Sequence, residues 1–147
     1  MIHFESITPD NWRLGLSVRE DQREYVSDSK GILARAYAYR GMRSRALVIY
    51  NDDTPVGMTM YYDVDEDDCK AYNLSQFFID QRYQGSGYGE AAMRLLLDQM
   101  KTEGKFNKVV LCYIDGDEAA KKLYEKLGFS HTGEADENEI IMEKLLG

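Results

Sequence analysis

The chain has 147 residues, the size of a single domain. Hydrophobic residues make up 44%, including eleven tyrosines, five phenylalanines and one tryptophan, which is enough apolar material for a core and excludes a disordered chain. Acidic residues outnumber basic ones 26 to 18, a formal charge of −8, which argues against nucleic-acid and anionic-membrane partners and favours a cationic one. No apolar run approaches the roughly 18–20 residues that cross a bilayer. The first residues also lack the basic start and apolar stretch of a secretion signal, so a cytoplasmic location is expected. Cys69 and Cys112 stand far apart without a partner cluster. They form neither a disulfide framework nor a metal-ligand spacing, so both read as structural thiols and no metal is expected.

Ile2 to Ile7 alternates apolar and polar residues, the pattern of a strand. Thr8-Pro9-Asp10 then resembles a helix start, and helical character with breaks is predicted through Trp12–Val18, Gln22–Val26 and Gly31–Tyr39. Ala46–Tyr50 and Val56–Tyr62 are β-rich runs joined by a polar stretch from Asn51 to Pro55. A second turn, Asp63–Asp68, leads into an alternating run from Lys70 to Asp80, giving a three-stranded antiparallel meander.

Beyond that point the period changes. Tyr88, Ala91, Ala92, Leu95, Leu96, Gln99 and Met100 recur at helical spacing, and Thr102 to Lys105 ends that helix. Val109–Ile114 reads as a buried strand. Ala119, Ala120, Leu123, Tyr124 and Leu127 mark another helix, stopped by Gly128 as a left-handed cap. Glu139–Leu145 is a last strand, with Ser130–Gly133 part of its partner. No linker, repeat or low-complexity tract divides the chain, so residues 1–147 form one domain. The expected class is α/β (α+β), a mixed sheet with helices on both faces.

Gln84-Gly85-Ser86-Gly87-Tyr88-Gly89 joins a strand to an amphipathic helix. Glycines let a chain curl tightly and let its N–H groups approach an anion, and the helix start adds unpaired donors and a positive dipole end. These parts suit a pyrophosphate; a plain tight turn is the alternative. A Walker loop is excluded because Glu90-Ala91 follows where Lys-Ser or Lys-Thr is required. A dinucleotide turn needs a different glycine rhythm within a βαβ unit.

The run Phe77-Phe78-Ile79-Asp80-Gln81-Arg82-Tyr83-Gln84-Gly85-Ser86-Gly87-Tyr88-Gly89 resembles the acetyl-CoA signature of the GNAT acyltransferase superfamily, with Gln84, Gly87 and Gly89 at its fixed positions. The resemblance implies a GNAT-like, mostly antiparallel central sheet. It also implies that the amides from Gln84 through Gly85, Ser86, Gly87, Tyr88 and Gly89 to Glu90 bind the CoA pyrophosphate. The main chain of Phe77, Phe78 and Ile79 is then expected to pair with the pantetheine arm. Asp117–Phe129 resembles the second motif of the same family, which makes Tyr124 the expected general acid for the departing thiolate. A phenol with a pKa near ~10 stays protonated at neutral pH and suits that task. Read without the family, Tyr124 is a core residue on the apolar face of its helix. Where the family has asparagine this chain has Asp117, expected at the pantetheine amide or as an N-cap.

Over nearly its full length the chain resembles bacterial spermine/spermidine (diamine) N-acetyltransferases. Acetyl-CoA is the implied cosubstrate, a polyamine the implied acceptor, and a homodimer the expected assembly. An amine with a pKa near ~10.4 must lose a proton before it attacks, and a strand N–H on Phe78 or Ile79 would polarise the thioester carbonyl. Several polyamine-acetylating relatives carry an acid just before the Phe-Phe pair. Ser75-Gln76 stands there instead, which leaves the base unassigned. Asp65, Glu66 and Asp67 on the acidic hairpin are candidate polyamine contacts, or simply a solvated loop. Other acceptors (a protein N-terminus or an antibiotic amine) and a non-catalytic acyl-CoA-binding module are the alternatives. Cys112 suggests a covalent route, but neither His3 nor His131 is placed by sequence to activate it.

Overall fold

The computed structural model describes residues Met1–Gly147. Seven strands form one sheet in the order β1-β2-β3-β4-β5-β7-β6. They are β1 (Ile2–Ser6), β2 (Arg45–Asn51), β3 (Thr54–Glu66), β4 (Cys69–Ile79), β5 (Lys108–Ile114), β6 (Ser130–Asp136) and β7 (Glu139–Leu145). Every neighbouring pair is antiparallel except β4 and β5, which run parallel. Three α-helices, α1 (Ser29–Ala38), α2 (Tyr88–Glu103) and α3 (Glu118–Lys126), complete the fold.

The helices divide between the two faces. On one face Ile32 of α1 packs with Leu16, Val18, Val48, Met58, Met60 and Phe78. On the other, Met93, Leu96, Leu97 and Met100 of α2 meet Tyr72, Leu74, Val109, Leu111 and Met142, with Tyr124 of α3 beside them. Each fully buried side chain of this size contributes about 1.5–3 kcal/mol relative to exposure. The buried stripe of α2 is Ala92, Met93, Leu96, Leu97 and Met100, so Ala91 and Gln99 of the expected face point to solvent. Three successive leucines at 95–97 leave the phase of this helix open by spacing alone, and contact with the sheet selects it.

The segment before α1 departs from expectation. Trp12–Val18 is irregular, and Gln22–Val26 has only a single 3-10 turn at Glu20–Gln22. Long-range bonds compete there with local helical ones. The Ser17 amide donates to Asp80 Oδ2 at 2.8 Å, the Gln81 amide to Ser17 O at 2.8 Å, and the Ser27 amide to Gln76 Oε1 at 3.1 Å. Helix α1 begins only where Asp28 caps it, accepting from the Gly31 amide at 2.6 Å.

The acidic hairpin is also tighter than its composition suggests. β3 continues to Glu66, leaving Asp67-Asp68 as the turn. Asp63 is buried and accepts from Arg43 Nε (2.7 Å), Arg45 Nη2 (2.7 Å) and Lys105 Nζ (2.8 Å). Burial alone would raise its carboxyl, but these hydrogen bonds outweigh it and hold the pKa at about 2. A carboxyl depressed in the folded state contributes stability above its unfolded pKa and loses it as pH falls through the folded one. Asp63→Asn is therefore expected to cost about 2 kcal/mol at pH 7. Urea titrations of protein and variant should converge between about pH 4 and pH 2.

Candidate active site

The site forms where two strands part. β4 pairs with β5 only from Tyr72↔Val109 to Leu74↔Leu111, while it stays paired with β3 as far as Ile79. Beyond Leu74 a wedge opens between them. The carbonyl of Gln76 accepts from the Thr59 hydroxyl at 2.8 Å, and that of Phe78 lies 2.2 Å from where a Cβ on Gly57 would stand. Both peptide groups thus face β3, and the amide of Asp80 also donates to β3, at Val56 O (2.7 Å). Alternation along an extended strand turns the peptide groups of Phe77 and Ile79 into the wedge. Of the two amides expected to polarise a carbonyl, Phe78 is committed to β3 and Ile79 faces the opening. Gly57 must stay a glycine, because a side chain there would push β4 away.

The turn after β4 is held from behind. Asp80 is almost fully buried; its oxygens accept from the amides of Ser17 and Arg82 and from Arg82 Nε. Burial would raise this carboxyl too, but the bonds from Arg82 and Ser17 lower it, so it remains an anion that pins the bend. Gln84 Nε2 donates to Ile79 O (2.9 Å) and to Gln22 Oε1 (3.0 Å), tying strand end, bend and irregular segment together. Gly85 and Gly87 have φ of +83° and +82°, a region costly for residues with a Cβ. Gly87 is the N-cap of α2 and no side chain caps that end, so the first amides of the helix are free. Glu90 in the first turn is paired with Lys126 Nζ (2.6 Å) and Arg94 Nε (3.4 Å), which offsets its charge beside those free amides.

Helix α3 supplies the facing wall. Asp117 caps it by accepting from the Ala120 amide at 3.2 Å, and burial raises the Asp117 carboxyl. At the other end Phe129 N donates to Tyr124 O and Gly128 N to Glu125 O, a Schellman closure with Gly128 at φ +94°. These caps fix the rotation of Tyr124, which is 8% exposed. Burial first, then the nearby Asp117 and Cys112, push its phenol well above the ordinary value.

A cavity of about 330 Å³ brings both motifs together: Phe77, Phe78, Ile79, Gln84, Gly85, Gly87, Tyr88, Gly89 and Glu90 on one side, Asp117 and Tyr124 on the other. Ser86 sits on the bend but does not line the cavity. Tyr83 and the α3 residues Ala119, Ala120 and Leu123 extend those two walls, and a third, Val18, Gln22, Tyr25 and Val26, comes from the irregular segment, which local periodicity assigned to helices. Tyr25 and Val26 also line a second cavity of about 470 Å³, which includes Ser75 and Gln76 of β4, Cys112 and Ile114 of β5, Tyr39, Tyr62, Arg35, Glu24 and Glu139. The wedge thus has a chamber on either side.

Asp65, Glu66 and Asp67 lie elsewhere. Lys70, opposite Asp65, is eight residues from Phe78 along β4, about 25 Å at roughly 3.3 Å per residue. Asp65 is paired with Lys70 at 2.7 Å. The hairpin carboxylates expected at the amine site therefore stand at the far end of the sheet, because β3 and β4 extend straight from it. The acids that line the second cavity, Glu24 and Glu139, come from distant segments. Cys112 beside Glu139 has its thiol raised to about 11, by desolvation first and by that carboxylate second. His131 bonds Tyr113 Oη at 2.8 Å and His3 bonds Glu5 at 2.9 Å.

Known proteins match this architecture. Residues 9–129 match the acetyltransferase (GNAT) family. The chain is 31% identical to a spermine/spermidine N(1)-acetyltransferase of Bacillus subtilis, over 99% of each chain. A spermidine N-acetyltransferase from Vibrio cholerae, solved with CoA and spermine, superposes with a TM-score of 0.74 at 15% identity, covering 99% of this chain and 95% of that one. An aminoglycoside acetyltransferase solved with coenzyme A gives 0.80 at 13% identity, again covering 99% and 95%. These last two likenesses concern the fold. With its strand wedge, glycine bend and capped tyrosine helix, the chain belongs to the acetyltransferase (GNAT) family and is an N-acetyltransferase.

Proposed function

We propose that the enzyme moves the acetyl group of acetyl-CoA to an amine of a polyamine such as spermine or spermidine, by direct attack in a ternary complex. The observation that carries this reading is the pair of chambers meeting at the wedge. One offers free amides and Tyr124, and the other contains the carboxylates of Glu24 and Glu139. The Bacillus subtilis and Vibrio cholerae relatives, whose names specify polyamines, support the choice of acceptor.

In this reading the amides from Gly85 to Glu90 hold the CoA diphosphate, and the open peptide groups of Phe77 and Ile79 pair with the pantetheine arm. The Phe77 N–H, the open amide of β4 farther from the diphosphate, polarises the thioester carbonyl at the end of the arm. The neutral amine attacks that carbon, the C–S bond breaks, and Tyr124 gives its proton to the leaving thiolate. Two protons leave the nitrogen in turn: the ammonium proton goes to solvent before attack, and the one shed as the amide forms restores Tyr124 through water. Gln76 cannot take a proton, and its Oε1 is already engaged by the Ser27 amide, so the ammonium proton leaves the amine chamber through water or through its carboxylates, Glu24 and Glu139. The raised thiol of Cys112 favours direct transfer over a covalent acetyl-enzyme, because little thiolate exists at neutral pH.

A thiol-release assay with spermine, spermidine, putrescine, an aminoglycoside and a peptide amine tests the reading. Polyamine-dependent release is expected; release with the aminoglycoside or peptide alone would reassign the acceptor, and tight CoA uptake without release would make the chain a binding module. Tyr124→Phe should lower kcat about 100-fold or more with little change in CoA affinity. Since Tyr124 stays protonated into alkaline solution, the wild-type rate should rise with pH as the amine deprotonates, without a falling limb near pH 8–9. Gly87→Ala forces a side chain into φ +82° and should weaken CoA binding about tenfold by calorimetry. Gly89→Ala should be milder, since a Cβ there meets Ile79 Cγ1 at an ordinary 3.6 Å.

A further inference from the structure

The second chamber does not end at the wedge. Asn73, Cys112 and Glu139 also line a larger groove of about 690 Å³, which runs over the surfaces of β5, β7 and β6. Beyond the shared residues it is bordered by Asp68, Glu134, Asp136 and Glu143. Lys108 is the one lysine or arginine along it, and it is paired with Glu143 at 3.8 Å.

The register adds a second observation. Asp136 of β6 stands directly opposite Glu139 of β7. Like charges at opposed positions of neighbouring strands repel and destabilise the pair. The Cys112 thiol, raised in part by both carboxylates, registers the same negative field. A bound cation would relieve that repulsion. From Glu139 to Glu143 the carboxylates extend about 13 Å along β7, at roughly 3.3 Å per residue. No three acidic, histidine or cysteine side chains converge as metal ligands do, so the arrangement suits charges spread along a flexible chain.

We propose that this groove measures acceptor length: the reacting amine occupies the chamber at the wedge, and the distal ammonium groups of a long polyamine lie along β7 and β6, held by Glu139, Asp136 and Glu134. The proposal rests on the polyamine reading given above. It explains how a chain can prefer a long polycation over a short amine of identical reactivity, since each added ammonium gains a carboxylate partner.

The test compares butylamine, putrescine, spermidine and spermine in the thiol-release assay, using the wild-type chain and the double variant Glu134→Gln/Asp136→Asn. In the wild type kcat/KM should rise along that series, with the advantage of spermine shrinking as salt is added. In the double variant the spermine-to-butylamine ratio of kcat/KM should fall about tenfold, through KM for spermine. A double substitution at the remote hairpin, Asp65→Asn/Asp67→Asn, removes the same charge and should leave the ratio in place. An unaltered ratio in the groove variant, or an equal fall in the hairpin variant, would overturn the length gauge. Calorimetric titration of spermine into the CoA-loaded proteins separates the two claims. Weaker spermine binding in the groove variant supports the gauge even if no amine is acetylated, an outcome that would sink the transfer reading alone. Equal spermine affinity in both proteins overturns the gauge.

Discussion

Everything in the site follows from one unequal pairing. β4 pairs with β3 along its whole length, but with β5 through three residues only. Where the second partner leaves, β4 retains peptide groups with no strand to satisfy them. Burying such groups without a partner would cost about 1–3 kcal/mol each, so they must face solvent or a ligand that pairs with them. Gly57 keeps the closed side tight, since only a residue without Cβ allows β4 so near, and Gln84 covers Ile79 O at the end of the opening.

The surrounding parts hold that opening in shape. Asp80 and Gln76 fasten the irregular segment across the wedge, so Tyr25 and Val26 can form the partition between the two chambers. The glycine bend and the start of α2 place anion donors at one mouth. The caps of α3 place Tyr124 on the facing wall, where burial keeps its phenol protonated. In the proposed mechanism, positioning and proton supply thus come from separate elements, each locked by its own hydrogen bonds. The acidic patch that composition brings forward has a different role. Asp63 is the centre of a charge cluster that fixes the far end of the sheet to Arg43, Arg45 and Lys105.

Local chemistry was legible where local chemistry decides. The meander from β2 to β4, the left-handed stop at Gly128, the cap at Asp117 and the glycine bend all follow from short-range pattern, and the chain adopts each of them. Residues 12–26 were not legible, because their conformation is set by bonds to residues some fifty to sixty positions away, such as Ser17 with Asp80 and Gln22 with Gln84. The phase of α2 was lost for a related reason: Leu95, Leu96 and Leu97 satisfy more than one stripe, and the sheet chooses. The acidic hairpin misled because adjacency in sequence is not adjacency to the wedge. Glu24 and Glu139 carry no local signal: the fastened irregular segment brings one to the chamber, and the sheet order brings the other.

A crystal structure with CoA bound tests the central claim most directly. The account predicts the diphosphate within hydrogen-bonding distance of the amides from Gly85 to Glu90, the pantetheine arm running beside Phe77 and Ile79 in the wedge, and the sulfur next to Tyr124. CoA seated on another surface, or a wedge in which β4 and β5 close together with the coenzyme outside, would contradict it.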